Sequence, residues 1–452
     1  MPSNQAEFDL AVQIYKSVAN LPIISPHGHV DPAMLLRDEP FANPAELFVF
    51  YDHYVTRLLH ADGVELASLR AGAEPREAWR ELCSRWHLFL GTASGYWLAA
   101  EFAELFDIDE APNAHNADRL YDLIDSKLSQ PEFSPRALFA RFGIELLATT
   151  DDPCDDLEAH RALASDPSFS GRVVPTFRPD AYTNATLPTW PDSVRRLLAK
   201  TGRTETNYKN LLDALDERRA FFRANGAISS DHGVLEPYTV ELSSTAAEEL
   251  FAKAIAGSAT SAELRELSGS LLFESFRAAA EDGLVMTIHA GVVRNHSSET
   301  FAKFGPDTGH DIPVAAEFTN NLRPALERFG LNPNLHVILF ALDETTWARE
   351  MAPLAGFYPS VFVGPPWWFL DAPDAAIRFR DAITDTIGFY RGAGFIDDTR
   401  AFLSIPARHD MARRVDSAYL AKLVVQQRLT LEQALQIAYD LVVNIPKRAF
   451  KL

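Results

Sequence analysis

Residues 21–32 read LPIISPHGHVDP. Apolar Leu21, Ile23 and Ile24 predict a strand that runs into His27, Gly28 and His29 and stops at Asp31 and Pro32. Side chains two apart on a strand point to the same face, so two imidazoles spaced in this way can meet one cation. Imidazole is a ligand for zinc, iron and related metals. Gly28 keeps bulk from between the histidines, and Pro26 and Pro32 restrict the chain on either side. The alternative is two histidines in a surface turn, and the surroundings of the motif decide between them.

Outward from this strand, residues 6–20 carry an amphipathic helical pattern. Residues 45–61, 75–89, 94–106 and 117–128 place apolar side chains at helical spacing. So much helix is more than one crossover needs, so it predicts an insertion packed over one end of the fold. A strand–helix rhythm then begins. Strands are expected at 145–150, 172–177, 227–229 leading into Ser230 to Gly233, 284–288, 336–342, 360–363 and 395–404. Helices are expected at 191–200, 207–224, 244–256, 260–281, 313–328, 344–354, 373–390, 409–425 and 430–441. With the His-x-His strand this makes eight strands, hence α/β class and a (β/α)8 TIM barrel with a helical insertion after strand one. The expected division is 1–32 for the first helix and strand, 33–140 for the insertion, and 141–452 for the rest of the barrel and its closing helices.

A chain of 452 residues suits a decorated barrel. Its formal charge of -20 argues against nucleic acid and anionic membrane surfaces. A small anionic substrate remains compatible, because a local arginine can hold one. Cys83 and Cys154 form no CxxC pair, so no disulfide framework is expected. The first residues lack a basic stretch followed by an apolar one, and no apolar run is long enough to span a bilayer. A cytoplasmic protein is expected, and a homo-oligomer, as is common for enzymes of this size.

Active sites of such barrels form at the C-terminal ends of the strands. The residues there are His27 and His29, Asp151 and Asp152, Arg178, Asp231 and His232, His289, Trp367 and Trp368, and Asp398 and Arg400. Strands one and eight are neighbours in a closed barrel. His27 and His29 with Asp397 or Asp398 then make a three-ligand set with open positions. Strand four carries no lysine and strand six no histidine at its end, so one metal ion is expected rather than two. His336 begins its strand and reads as structural. Arg178 and Arg400 are candidate anion clamps, since a guanidinium presents a planar fork to a carboxylate. His289 is a candidate site residue. Trp367 and Trp368 either line a sugar pocket or fill the core. Neighbouring helical side chains do not face each other, so His53 and Tyr54 need not both reach the site, and Tyr54 reads as core.

The order of TTDDP (149–153), TFRPD (176–180), HAGVVRN (289–295), GPPWWF (364–369) and DDTRAFLSIPARHD (397–410), together with the His-x-His motif, resembles that of the uronate isomerases, the glucuronate isomerase family of the amidohydrolase superfamily. The resemblance covers nearly the whole chain. It implies a barrel of the metal-dependent hydrolase type and an aldose–ketose isomerase. The reactions implied interconvert D-glucuronate with D-fructuronate and D-galacturonate with D-tagaturonate, by proton transfer between C2 and C1 through an enediol. It assigns Asp398 with His27 and His29 as ligands of one divalent metal, zinc, and makes Asp398, His53 and Tyr54 catalytic. Arg178 matches the arginine that holds the uronate carboxylate, and Arg400 completes the Asp-x-Arg pattern. The competing function is a mononuclear-metal hydrolase of the same superfamily acting on a small amide or ester, with Asp398 as general base. The sugar-acid motifs and the missing second-metal ligands speak against it.

Overall fold

The structure, a computed structural model, describes residues 4–452. Its parallel strands are β1 (Ile23–Ser25), β2 (Ile144–Ala148), β3 (Arg172–Val174), β4 (Thr176–Phe177), β5 (Ser229–Val234) and β6 (Val285–Ala290). A short antiparallel hairpin, β7 (Val292–Val293) with β8 (Ile312–Pro313), follows them. Parallel strands β9 (Val337–Ala341) and β10 (Val361–Val363) come last. The ladders run β1–β2–β3 and β4–β5–β6–β9–β10. β3 and β4 are one barrel strand interrupted at Pro175, which has no N–H to offer a ladder. A bridge between Asp151 and Phe177 ties the two halves together.

The ring closes through residues 392–399. Val363 bridges to Gly392, and the His29 N–H donates to the Thr399 carbonyl at 2.9 Å. This is the (β/α)8 order expected, with one correction. The eighth strand, expected over 395–404, is not a regular strand. Asp398 adopts φ +43° in the left-handed region, which breaks a ladder, and Phe402–Ser404 is already a 3-10 turn. The following helix, Ile405–Val425, accordingly starts earlier than its pattern suggested.

The helical stretch expected over 45–61 is also divided. A π-turn, Glu46–Phe50, ends at Tyr51, and a new helix, His53–Ala61, begins after Asp52. The Asp52 carboxylate accepts from the Tyr54 N–H at 2.8 Å, and an aspartate at this position starts a helix by satisfying donors that the first turn leaves free. The helix expected over 313–328 shrinks to Arg323–Phe329, because the preceding residues belong to β8 and its loop.

Between β1 and β2 the chain is helical. Trp79, Phe48, Phe102 and Phe106 pack there, and the same apolar cluster reaches Ile23 of β1 and Leu147 of β2. The insertion therefore shares its core with the first barrel strands. Among the described residues no helix is long and apolar enough to cross a membrane. Cys83 and Cys154 are both free thiols.

Glu101, on the insertion helix Ala93–Phe106, is buried with a carboxyl pushed up to about 8, first by burial and then by Asp52. The folded chain then holds a proton that the unfolded chain releases above about 4.5. Stability from this group falls as pH rises from about 4.5 to about 8. Glu101→Gln is expected to flatten that part of the pH–stability curve, read from thermal midpoints across pH 5 to 9. Parallel curves for the two proteins would show that Glu101 does not titrate in this range.

Candidate active site

The floor of the site lies where β1 meets residues 392–399. Gly28 lies in this seam, where a Cβ would be in van der Waals contact, 3.4 Å from both the Ala148 and Thr399 carbonyl oxygens. His27 and His29 turn the same way, with Nε2 atoms 3.4 Å and 3.0 Å from Asp398 Oδ1. Asp397, one residue earlier, faces elsewhere and receives His409 Nε2 at 3.0 Å. The geometry thus separates the two carboxylates that the motif alone left equivalent.

Behind this trio, β5 and β6 supply Asp231 and His289. Asp231 Oδ1 accepts from His289 Nδ1 at 2.7 Å and from the Thr287 hydroxyl at 2.8 Å. His289 stacks on His27 at 4.9 Å between ring centroids and on Phe340 at 4.1 Å. His232, the next residue on β5, alternates to the opposite face and bonds Ser230 instead.

Two donor sets have their ligand atoms within 4.8 Å of one another, namely His27, His29 and Asp398, and His27, Asp231 and His289. They share His27, so both belong to one neighbourhood. His27 Nε2, His289 Nε2 and Asp398 Oδ1 are buried without a hydrogen-bond partner. Burial works to lower His27, yet Asp231 and Asp398 outweigh it and raise the imidazole, whereas burial keeps His29 low. Asp398 is held well below the usual carboxylate range, because both histidines offset its burial. Buried, unpartnered nitrogen and oxygen donors in a field that attracts positive charge fit a divalent cation.

Above the floor is a cavity of about 550 Å³. Arg178, on the chain just after β4, lines it with Nε on Asp180 at 3.0 Å and near Asp231 at 3.5 Å. Its Nη groups make no hydrogen bond among the described residues and are left for a ligand. Arg400 also lines it and faces Asp307 at 3.5 Å. His53 and Tyr54 both line the cavity, stacked at 4.7 Å, because they open the helix that Asp52 caps. Tyr54 is therefore a wall residue and not core. Burial pushes the His53 imidazole down to about 3, with Arg400 adding to the effect. The Tyr54 phenol is pushed well above its ordinary value by burial.

Trp367 and Trp368 also border the cavity. Trp368 holds a left-handed backbone, φ +50°, rare for a bulky residue and frequent where a site dictates geometry. Its ring lies under the Arg294 guanidinium at 4.7 Å. His289 does not line the cavity; it sits beneath Trp367, at 4.6 Å between centroids.

Several wall residues had no place in the expected set. Arg408 is buried, paired with Asp371 at 2.7 Å, and packed on the Trp97 ring at 3.6 Å. Asp180 and Asp311 are acidic partners of Arg178 and Arg294. Asp307 lies in GPDTG (305–309), a glycine-flanked turn whose carboxylate was the one visible signal.

A sequence model described as glucuronate isomerase matches residues 4–450. The uronate isomerase of Corynebacterium efficiens is 48% identical, over 100% of this chain and 97% of its own length. The crystal structure of glucuronate isomerase from Caulobacter crescentus superposes with a TM-score of 0.97 at 43% identity, covering 100% of this chain and 95% of that one. The Thermotoga maritima uronate isomerase structure gives a TM-score of 0.93 at 27% identity, covering 98% and 97%.

The donor set predicts one divalent ion per chain, measured by plasma mass spectrometry on dialysed protein. Asp398→Asn is expected to lose it while staying folded. Two ions per chain in the wild type, or full loading of Asp398→Asn, would contradict the assignment.

Proposed function

Since the chain belongs to the glucuronate isomerase family, we propose that it interconverts hexuronates with their keto isomers. The pairs are D-glucuronate with D-fructuronate and D-galacturonate with D-tagaturonate. Beyond the family match, one observation carries this reading. A single cavity is lined by arginines able to hold a carboxylate, by a neutral imidazole and by a protonated phenol. The hydrolytic alternative is not favoured by relatives that carry the isomerase name.

The reacting form is the open-chain aldehyde. Its carboxylate pairs with the Nη groups of Arg178, a planar fork already oriented by Asp180. This leaves C1 and C2 toward His53 and Tyr54. Removing the C2 proton moves electrons toward the C1 carbonyl and makes an enediolate. His53 is the acceptor, since neither ring nitrogen has a partner and the imidazole is uncharged at neutral pH; burial makes it a weak base at rest, and the negative charge that develops on the enediolate raises its basicity as the proton moves. Tyr54 keeps its proton and donates a hydrogen bond to the developing oxyanion. Arg400 and Arg294, both in the cavity wall, add positive charge there. Passage of the O2 hydroxyl proton to O1, and return of the carbon proton from His53 to C1 as the C2 carbonyl forms, complete the ketose. Trp367 and Trp368 shield this region from water, and His289 supports Trp367 from below.

His27, His29 and Asp398 would hold one divalent ion, which we assign as zinc, and such an ion supplies fixed positive charge that orients oxygen ligands and stabilises developing negative charge. Free thiols at Cys83 and Cys154 suit the reducing cytoplasm in which we place the protein.

Proton NMR of the purified protein with each hexuronate in D2O is expected to show ketose signals, with deuterium entering at the transferred position. No change with either sugar, metal bound, would sink the isomerase reading. In the same assay Arg178→Met is expected to raise KM by about tenfold or more, the cost of losing a charge-assisted pair. An unchanged KM would remove Arg178 from carboxylate binding.

A further inference from the structure

Between β6 and β9 the chain leaves the barrel and folds back over its mouth. The excursion is anchored at several points. The hairpin of β7 and β8 ties its ends, and Asp311 takes the Arg294 guanidinium at 3.0 Å and the Asn295 N–H at 2.7 Å. Arg70 of the insertion donates to the Phe304 carbonyl at 3.2 Å. At its tip, Gly309 comes so close to the helix His53–Ala61 that a Cβ would lie 2.7 Å from the Arg57 Cβ. Residues 305–309 are thus seated against the helix that carries His53 and Tyr54.

This seating brings Asp307 into the cavity wall. Asp307 has φ +59°, a conformation that aspartate tolerates better than most residues. Its Oδ2 faces Arg400 Nη1 at 3.5 Å, too long for a close charged pair, and Oδ1 has no partner among the described residues. About half of its side chain is exposed, toward the cavity that it lines. Burial would raise this carboxyl, but Arg400 and Arg294 hold it low, so it is an anion at neutral pH. An ionised carboxylate is an acceptor only, with two oxygens to fill. A sugar acid offers a row of hydroxyl donors.

We propose that Asp307 is a substrate-binding residue of the isomerase, accepting hydrogen bonds from the hydroxyl groups of the hexuronate carbon chain while Arg400 and Arg294 balance its charge. The inference rests on the hexuronate reading given above and adds to it a determinant of sugar recognition on the excursion between β6 and β9. Arg178 and Asp307 then hold different parts of one molecule, the first its carboxylate and the second its hydroxyls.

The test is steady-state kinetics of Asp307→Asn and Asp307→Ala with D-glucuronate and D-galacturonate, together with calorimetric Kd values for D-glucuronate. Loss of a hydrogen bond to a charged acceptor is expected to raise KM and Kd by about ten- to hundredfold. The change should be larger for alanine than for asparagine, with kcat and thermal midpoint close to wild type. An unchanged or lowered KM would overturn the proposal and make Asp307 only a counter-ion of Arg400, which a substrate anion displaces. A fall in thermal midpoint and kcat with KM preserved would overturn it too, in favour of a purely structural turn. A wild-type enzyme that binds D-glucuronate without turning it over would defeat the isomerase reading. Weaker calorimetric binding by the variants would still support the Asp307 contact in that case.

Discussion

His29 donates its backbone N–H to the carbonyl of Thr399, and this bond sets the first barrel strand against the last segment of the ring. The two imidazoles and Asp398 come from chain positions far apart, so they can meet only if that seam closes. The left-handed backbone at Asp398 turns the carboxylate toward the histidines. A regular eighth strand would continue the ladder, but its backbone would not adopt this conformation. Regular pairing is given up where the chemistry needs a particular direction, as in other strained sites. Asp397, held by His409, fixes the seam from the other side.

Charge balance follows from the same crowding. An unpaired charge in a buried site costs several kcal/mol, which paired acids and bases avoid. Arg178 has Asp180 and Asp231, Arg294 has Asp311, Arg400 has Asp307, and Arg408 has Asp371. Of these four arginines, Arg400 is the one whose nearest carboxylate is as far as 3.5 Å. A sugar acid entering the cavity brings another negative charge, and a divalent ion on the floor would offset it. The overall charge of -20 matters little at this range, because salt screens exposed charges beyond about 8 Å. On the proposed reading the local fork of Arg178 decides, and in that way an acidic protein can bind an acidic substrate.

Barrel order was legible because it repeats. Apolar strands ending in polar residues recur down the chain, and no single boundary has to be right. His27 and His29 were legible for a related reason, since alternation along a strand needs no knowledge of the rest of the fold. The choice between Asp397 and Asp398 was different. Adjacent residues on extended chain face opposite ways, so the answer depends on register, which residues 395–404 do not disclose. It was family resemblance that picked Asp398. Asp307 stayed hidden because its partners, Arg400 and His53, are remote in sequence and its own stretch forms no regular element. The break at Tyr51 and Asp52 was hidden by the helical spacing that continues across it, although aspartate before a helical run is a start signal.

That break couples the insertion to the chemistry. Asp52 ends one segment and caps the next, so His53 and Tyr54 stand in the first turn of the new helix, stacked on each other and lining the cavity. The N-terminal end of a helix carries partial positive charge, which disfavours a second proton on an imidazole and acts in the same direction as burial and Arg400. The apolar cluster that joins Phe48 and Trp79 to Ile23 and Leu147 then fixes this helix relative to β1 and β2. The barrel contributes the donor floor and the Arg178 fork, and the insertion contributes the imidazole and the phenol. On the proposed mechanism neither part would hold both ends of an open-chain sugar acid by itself, so the shared core that aligns them is as much a part of the candidate active site as the residues that line it.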